Sequence, residues 1–163
     1  MGSVIIREAL PGEMAAVGDL RAAAYAAGGF LSAEYAPQLR ELGRGGDGIV
    51  LVASDEDGGL TGTIMLVLPP TEGEIIESAD EAEIRALAVA PGTQRGGVGA
   101  ALVTAALRQA AAAGARRVVL STLPQMHAAH RLYERTGFRR LPGRDWYPRP
   151  DVPLLAYSLD LPA

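Results

Sequence analysis

Residues 87–102, with the sequence LAVAPGTQRGGVGAAL, decide the fold of this chain. The stretch begins as an apolar strand, passes through a glycine-rich loop and continues as an alanine-rich helix. Backbone N–H groups at the start of a helix point outward, and the helix dipole adds partial positive charge. Gly97 and Gly99 have no Cβ to keep an anion from the main chain, and Gln94 and Arg95 add side-chain donors. The stretch therefore predicts a diphosphate-binding loop.

Hydrophobic periodicity and turn residues predict a mixed α/β sheet with helices on its faces. The predicted strands cover residues 4–7, 49–54, 60–68, 82–90, 117–121, 138–141 and 154–161. The predicted helices cover residues 11–26, 32–42, 97–113 and 125–136, and residues 142–153 form a Pro/Gly-rich loop. The order is β-α-α-β-β-β-α-β-α-β-β, with neither an internal repeat nor a linker, so residues 1–163 are expected to form a single domain.

Composition narrows the function classes. The chain has 163 residues and a net charge of −4, which gives no electrostatic reason to expect nucleic acid as a partner. Cysteine is absent, which excludes disulfides and an acyl group carried on a cysteine thiolate. No run approaches the roughly 18 apolar residues that span a bilayer, and the N-terminus lacks the apolar run of a signal peptide. We expect no membrane partner and a cytoplasmic location.

Two other kinds of glycine-rich loop bind nucleotides. A P-loop needs a lysine after its last glycine, and all 15 basic residues of this chain are arginine, so that class is excluded. A dinucleotide-binding fingerprint needs a third small residue where Leu102 stands and an acidic residue where Val119 stands. It also lies on the first strand of its domain, whereas four predicted strands precede this loop. A nucleotide-binding protein is therefore a disfavoured alternative.

Two spaced segments resemble a known superfamily. Residues 94–99, QRGGVG, match the Gln/Arg-x-x-Gly-x-Gly/Ala motif with which GCN5-related N-acetyltransferases (GNAT) bind a pyrophosphate. Residues 129–138, AHRLYERTGF, resemble the Ala-x-x-Leu-Tyr-x-x-x-Gly-Phe segment of the same superfamily. The element order is similar to the family fold from end to end. On these grounds the chain is identified as a member of the GNAT superfamily.

The resemblance implies a splayed, mixed sheet flanked by helices, acetyl-coenzyme A as co-substrate and no metal. It implies transfer of the acetyl group to a primary amine of a small molecule or peptide by direct attack. Tyr133 would be the general acid that protonates the coenzyme A thiolate. The main chain of the strand would hold the pantetheine arm and the acetyl carbonyl, and the loop would hold the pyrophosphate. The implied cofactor-binding residues are Leu87, Ala88, Val89, Gln94, Arg95, Gly96, Gly97, Val98, Gly99 and Ala100.

The general base is the least determined part of the site. Family members often use a carboxylate near the start of the cofactor strand, which makes Glu83 the first candidate and Glu81 the second. A water chain is a third way to remove the proton, and a solvated acidic strand end explains both carboxylates equally well. Met126 stands where the family often has an asparagine that contacts the pantetheine arm. Either Ser121 or Thr122 supplies that contact, or backbone alone holds the arm.

The amine acceptor has no diagnostic motif in this sequence. Trp146 and Tyr147 near the last strand, with Phe30 and Tyr35 in the first helical region, are candidates to contact an apolar acceptor, although such aromatics equally often anchor packing. Arg144 and Asp145 are expected to form a local ion pair. His127 and His130 are interpreted as surface residues rather than a metal pair. A non-catalytic acyl-coenzyme A sensor is the main alternative function, and homodimers are common among relatives.

Overall fold

The computed structural model describes residues 4–93 and 97–162, which contain eight strands and four α-helices. The strands are β1 (Ile5–Glu8), β2 (Ile49–Ser54), β3 (Leu60–Val67), β4 (Glu81–Val89), β5 (Arg117–Thr122), β6 (Arg139–Arg140), β7 (Trp146–Arg149) and β8 (Val152–Asp160). The helices are α1 (Met14–Ala27), α2 (Ala36–Glu41), α3 (Val98–Ala112) and α4 (His127–Thr136). Short 3-10 turns occupy Pro11–Glu13 and Pro142–Arg144. The predicted mixed α/β fold class is confirmed.

The chain forms two compact units that share β4. The first contains the residues up to Leu66 together with Ala86–Ala106, and the second contains Val67–Arg85 together with the residues from Leu107 onward. In the first unit β1, β2 and β3 pair antiparallel. In the second, the start of β4 pairs parallel with β5, and β5 pairs antiparallel with β8. Both β6 and β7 pair antiparallel with β8.

The core of the first unit consists of strand residues and helix faces. The hairpin between β2 and β3 is closed by the Asp55 carboxylate, whose Oδ1 accepts the N–H groups of Asp57 (3.0 Å) and Gly59 (2.8 Å). The β-branched and leucine-rich runs of both strands are buried because the sheet is covered by apolar helix positions. The fully buried residues include Val17, Leu39, Leu51, Val52, Ile64, Leu102 and Val103.

Gly62 allows helix α3 to pack closely on strand β3. A Cβ at this position would lie 2.7 Å from Val98 Cγ1, 2.8 Å from Leu102 Cδ1 and 3.2 Å from the Ala88 carbonyl oxygen. The first two distances are shorter than real Cβ contacts, so any larger residue would push the start of α3 away. Gly62 therefore sets the position of the helix whose N-terminus follows the glycine-rich loop.

Three predicted elements need correction. The predicted loop 142–153 contains strand β7, which pairs with β8. The sequence pattern does not indicate this strand because Pro148 and Pro150 are typical of loops, although a strand can tolerate proline at a sheet edge. The predicted helix 32–42 is only Ala36–Glu41, since the Ser32 hydroxyl accepts the Tyr35 N–H (3.1 Å) in a separate preceding turn. The predicted first helix begins as a 3-10 turn before α1.

We predict that Gly62→Ala lowers the free energy of unfolding by about 1–3 kcal/mol, because the added methyl group overpacks the contact with α3. Urea unfolding followed by circular dichroism measures the change. Gly12→Ala is the matched control, since no atom lies within 4 Å of its built Cβ and its φ is not positive. Equal stability of the two variants would contradict the packing described above.

Candidate functional site

The end of β4 is fixed by a tight turn over residues 90–93. The Thr93 N–H donates to the Ala90 carbonyl (3.1 Å), and Gly92 has a φ of +91°. Proline at the second position and a positive φ at the third are the signature of a type II turn. The Thr93 hydroxyl also donates to the Ala90 carbonyl (2.8 Å), and the Ala90 N–H donates to Thr61 of β3 (2.8 Å). The glycine-rich loop therefore leaves the sheet from a fixed point.

The N-terminus of α3 fits an anionic group. The Ala101 N–H donates to the Gly97 carbonyl (3.0 Å), so the N–H groups of Val98, Gly99 and Ala100 precede this first helical bond. Such groups, aligned with the helix dipole, suit a phosphate. Gly97 has a φ of +75° and nothing within 4 Å of a built Cβ, so its conformation rather than crowding favours glycine there.

Three of the predicted loop residues are not described by the structure. Gln94, Arg95 and Gly96 lie outside the described residues, so their predicted contacts stay predictions. The described part of the predicted loop is Gly97–Ala100, and its Val98 side chain is buried beneath the helix start.

Strand β4 contains a residue in the left-handed region. Ala86 has a φ of +53°, which is uncommon for a residue with a Cβ and marks an irregularity in the strand. The parallel register with β5 covers Glu81–Ile84, immediately before this point. Leu87, Ala88 and Val89 follow it, with Ala88 buried and the other two half-buried. The irregularity therefore lies between Glu83, the first candidate base, and the residues predicted to hold the pantetheine arm.

Tyr133 is held by the C-terminal cap of α4. Gly137 has a φ of +116°, its N–H donates to Glu134 (3.1 Å), and the Phe138 N–H donates to Tyr133 (2.9 Å). These two bonds define a Schellman motif, which usually brings the residue after the glycine into apolar contact with the last turn. The Tyr133 and Phe138 rings accordingly lie 5.7 Å apart between centroids. The Tyr-x-x-x-Gly-Phe sequence is therefore a helix cap that orients the tyrosine.

The environment of Tyr133 keeps its hydroxyl protonated. The residue is only 6% exposed, and its ring also lies 6.2 Å from that of Tyr157. Burial raises the pKa of Tyr133 far above its usual value. A neutral hydroxyl at physiological pH can donate a proton or a hydrogen bond, which is the role predicted for this residue.

Glu83 is fully buried and half satisfied. Its Oε1 accepts the N–H groups of Glu74 (2.8 Å) and Ile75 (3.0 Å), whereas its buried Oε2 has no hydrogen-bond partner among the described residues. Burial raises the pKa of Glu83 to about 7, against the N–H group of Ile75, which lowers it. Interpretation of this residue as a solvated strand end is therefore wrong. A carboxyl group that titrates near neutrality suits a general base.

Glu81, the second candidate base, is engaged elsewhere. Arg144 binds its carboxylate in a forked pair of 2.6 and 2.9 Å, and the Glu77 N–H donates to it (2.9 Å). Burial acts to raise the pKa of Glu81, but the Arg144 and Glu77 hydrogen bonds hold it below its usual value. A carboxylate kept charged by a bidentate arginine is a poor proton acceptor.

The predicted ion pair between Arg144 and Asp145 is not what these residues form. Asp145 binds Arg140 (2.7 Å), and Arg144 binds Glu81 and Glu77. Sequence reasoning missed the role of Arg144 because Glu81 lies 63 positions earlier. The local sequence shows only that Arg144 lies in a Pro/Gly-rich turn just before a strand, which does not identify its partners.

Met126 and Thr122 contact each other at the start of α4. The Thr122 hydroxyl donates to the Met126 sulfur at 3.6 Å, and Thr122 is 4% exposed. A thioether is a weak acceptor, so this hydroxyl is only lightly engaged. Ser121 and Thr122 are the two hydroxyls predicted to contact the pantetheine arm, and Thr122 is the one that contacts Met126.

The four candidate acceptor aromatics differ in burial. Trp146 packs against an apolar cluster of Ile75, Val119 and Ala156, and its Nε1 is buried with no partner among the described residues. Tyr147 is 63% exposed, and Phe30 and Tyr35 are half-buried. Of Trp146 and Tyr147, Trp146 is therefore the one that is packed and whose indole N–H has no partner among the described residues.

The two histidines show no metal geometry. Their rings meet edge-on at 5.9 Å, and His130 Nε2 lies 2.9 Å from the Leu123 carbonyl oxygen, to which it donates. Within residues 4–93 and 97–162, no group of three acidic or histidine side chains could hold a metal ion.

Comparison with known proteins identifies the family. The model of the acetyltransferase (GNAT) family matches residues 15–138. The chain belongs to the GNAT family. No curated protein matches the sequence. Members of this family are acetyltransferases that usually use acetyl-coenzyme A, so acetyl transfer is the chemistry that membership implies.

Solved structures share the fold. A GNAT-family acetyltransferase from Staphylococcus aureus Mu50 aligns with a TM-score of 0.76 at 17% identity, covering 98% of this chain and 100% of that one. A GCN5-related N-acetyltransferase from Kribbella flavida gives 0.71 at 23% identity, covering 97% and 98%. A ribosomal-protein-alanine N-acetyltransferase from Brucella melitensis gives 0.68 at 19% identity, covering 96% and 99%. None of the helices that the structure describes is long and apolar enough to cross a bilayer.

We predict that Glu83 makes the GNAT fold less stable as pH rises. A folded-state pKa of about 7 against an ordinary 4.5 means that the contribution of Glu83 to stability is greatest below pH 4.5 and is lost as pH rises through 7. The unfolding free energy of wild type minus that of Glu83→Gln should fall by up to about 3 kcal/mol between pH 4.5 and 8. Urea titrations across this range measure it, with Glu72→Gln as an exposed control in the same loop. A difference that stays constant with pH would rule out the shift.

Proposed function

We propose that this chain is a single-domain N-acetyltransferase that moves the acetyl group of acetyl-coenzyme A to a primary amine by direct attack. Glu83 accepts the amine proton and Tyr133 protonates the departing thiolate. The observation that carries the proposal is the buried carboxyl of Glu83, one of whose oxygens has no partner among the described residues. We further propose that it acts in the cytoplasm, as its composition predicts.

The base step follows from ordinary amine chemistry. An alkyl amine with a pKa near 10 is protonated at neutral pH and is not nucleophilic. Glu83, with a pKa of about 7, is partly ionised at neutral pH and can still take up a proton. Its Oε1 is held by two backbone N–H groups, so Oε2 is the oxygen that receives the proton.

The acid step uses the protonated tyrosine. A thiolate is a better leaving group when it is protonated as the carbon–sulfur bond breaks. Burial raises the pKa of the Tyr133 hydroxyl, and the same dry surroundings raise the proton affinity of a thiolate, so the transfer is not penalised by burial alone. The Tyr133 oxygen gives up its proton to the sulfur and recovers one from solvent after the thiol leaves.

The cofactor contacts follow the family motif. We propose that the N–H groups of Gly97, Val98, Gly99 and Ala100, with Gln94, Arg95 and Gly96, bind the pyrophosphate. The main chain of Leu87, Ala88 and Val89 holds the pantetheine arm and donates to the acetyl carbonyl oxygen, where negative charge develops. The irregularity at Ala86 supports this assignment, since it interrupts the regular strand just before those residues.

We predict that Tyr133→Phe lowers kcat by about 100-fold or more, because it removes the proton donor, while the Kd for acetyl-coenzyme A changes by less than about twofold. Thiol release over a panel of small and peptide amines measures turnover, and calorimetry measures binding. Tyr25→Phe, which removes a hydroxyl from α1, is the control and should leave both values unchanged.

The same measurements separate the alternatives. Unchanged turnover in Tyr133→Phe would disprove the acid assignment. Tight acetyl-coenzyme A binding by the wild type without turnover of any amine would identify a sensor. Thermal stabilisation by NAD or ATP, but not by acetyl-coenzyme A, would identify a nucleotide-binding protein.

A further inference from the structure

Arg144 binds three separate groups in and beside the loop of residues 68–80, which connects β3 to β4 and contacts the Glu83 carboxylate. Its guanidinium donates to both Glu81 oxygens (2.6 and 2.9 Å), to the Ile75 carbonyl (3.2 Å) and to the Glu77 carboxylate (2.9 Å). The Arg144 side chain is 14% exposed and that of Glu81 is 4% exposed. A forked, largely buried arginine of this kind has little freedom to move.

The next residue fixes Arg144 from the other side. The Asp145 carboxylate accepts the Ala156 N–H of β8 (2.7 Å) and two bonds from Arg140 (2.8 and 2.7 Å). The turn Pro142–Arg144 is therefore anchored to β8 by one side chain and to the loop by the adjacent one. Movement of the loop away from this turn would break the Arg144 bonds first.

Ile75 connects this anchor to the carboxyl group of Glu83. Its carbonyl oxygen accepts from Arg144, and its N–H donates to Glu83 Oε1. A Cβ at Gly73 would collide with the same oxygen, so the loop backbone wraps closely around the carboxylate. The other charged groups that act on Glu83 are Glu74 and Arg85, which pair with each other at 3.1 Å.

We propose that Arg144 is a positioning residue for Glu83. By holding the Ile75 carbonyl and Glu81 together, it keeps the loop closed over Glu83 Oε1 and leaves Oε2 as the single free oxygen of the base. This inference rests on the proposed function for its catalytic meaning, but the geometry it describes is testable without activity.

Releasing the loop has a defined consequence. Water would reach the Glu83 carboxylate and relieve the desolvation that raises its pKa. The acidic limb of the kcat/KM profile would then move to lower pH, and the plateau would fall because the carboxylate loses its fixed orientation.

The test is the double variant Glu81→Gln/Arg144→Met. It removes both charges together, so no unpaired buried charge is left, and the amide that replaces the Glu81 carboxylate keeps an acceptor for the Glu77 N–H. Arg144→Lys is the conservative variant, which retains the charge but not the fork. Arg117→Met is the matched control, since Arg117 lies 3.9 Å from Glu81 and pairs with Asp160 without contact to the loop.

Two readouts are taken on each variant: hydrogen exchange of the Glu74 and Ile75 amides by NMR, and the pH midpoint of the acidic limb. The double variant should lose about tenfold or more of its amide protection, and its limb should move down by about one pH unit. Arg144→Lys should fall between it and wild type, and Arg117→Met should match wild type.

Unchanged amide protection and an unchanged limb in the double variant would overturn the positioning role. If the double variant does not fold, the Arg144→Lys variant decides: wild-type protection of both amides in that variant would overturn the positioning role. Loss of protection with a limb that does not move supports the positioning role and instead overturns Glu83 as the base. The two failures are therefore distinguishable.

Discussion

The half-satisfied carboxyl of Glu83 is the constraint around which the second unit is organised. A carboxylate taken out of water costs several kcal/mol unless its oxygens find donors. One Glu83 oxygen has two backbone donors from the loop after β3, and the other has no partner among the described residues. The loop backbone passes close to the Glu83 carboxylate at Gly73, and Arg144 holds the loop through the Ile75 carbonyl. A buried carboxyl oxygen that has no partner among the described residues is the kind of feature that function maintains.

The proposed acid, Tyr133, has a different structural origin from the proposed base, Glu83. Tyr133 owes its orientation to a helix cap, in which Gly137 adopts a left-handed conformation and Phe138 packs against the tyrosine ring. The family motif that contains these residues thus encodes local geometry as well as chemistry. Burial then acts on both groups in the same direction, raising the pKa of the phenol and of the carboxyl. The outcome is a phenol that stays protonated and a carboxyl that is partly ionised near neutrality, as the proposed acid and base require.

Local patterns in the sequence predict most of the fold. The bounds of the strand at Ile49–Ser54 are predictable because turn residues close its apolar run on both sides, and α3 is predictable within one residue because Gly97 and Gly114 flank it. Strand β7 could not be predicted, since proline residues interrupt its pattern and its pairing with β8 is not visible in the local sequence. Motif residues such as Tyr133 are recognisable because their spacing is local.

Long-range contacts are not predictable in the same way. The sequence allows Glu83 to be either a base or a solvated strand end, because burial depends on a loop that covers it rather than on its neighbours in the chain. The partners of Arg144 lie more than 60 positions earlier, and no local pattern records them. Trp146 is a predicted acceptor contact, but the burial of its Nε1, without a partner in residues 4–93 and 97–162, follows from packing against residues far apart in the chain.

The most direct test of this account is a carbon-13 NMR titration of the glutamate carboxyl groups in the wild-type protein, with the Glu83 signal assigned by its loss in Glu83→Gln. We predict a midpoint near pH 7 for that signal. A midpoint near the ordinary 4.5 would show that Glu83 is hydrated and ionised, and would contradict its assignment as a buried base.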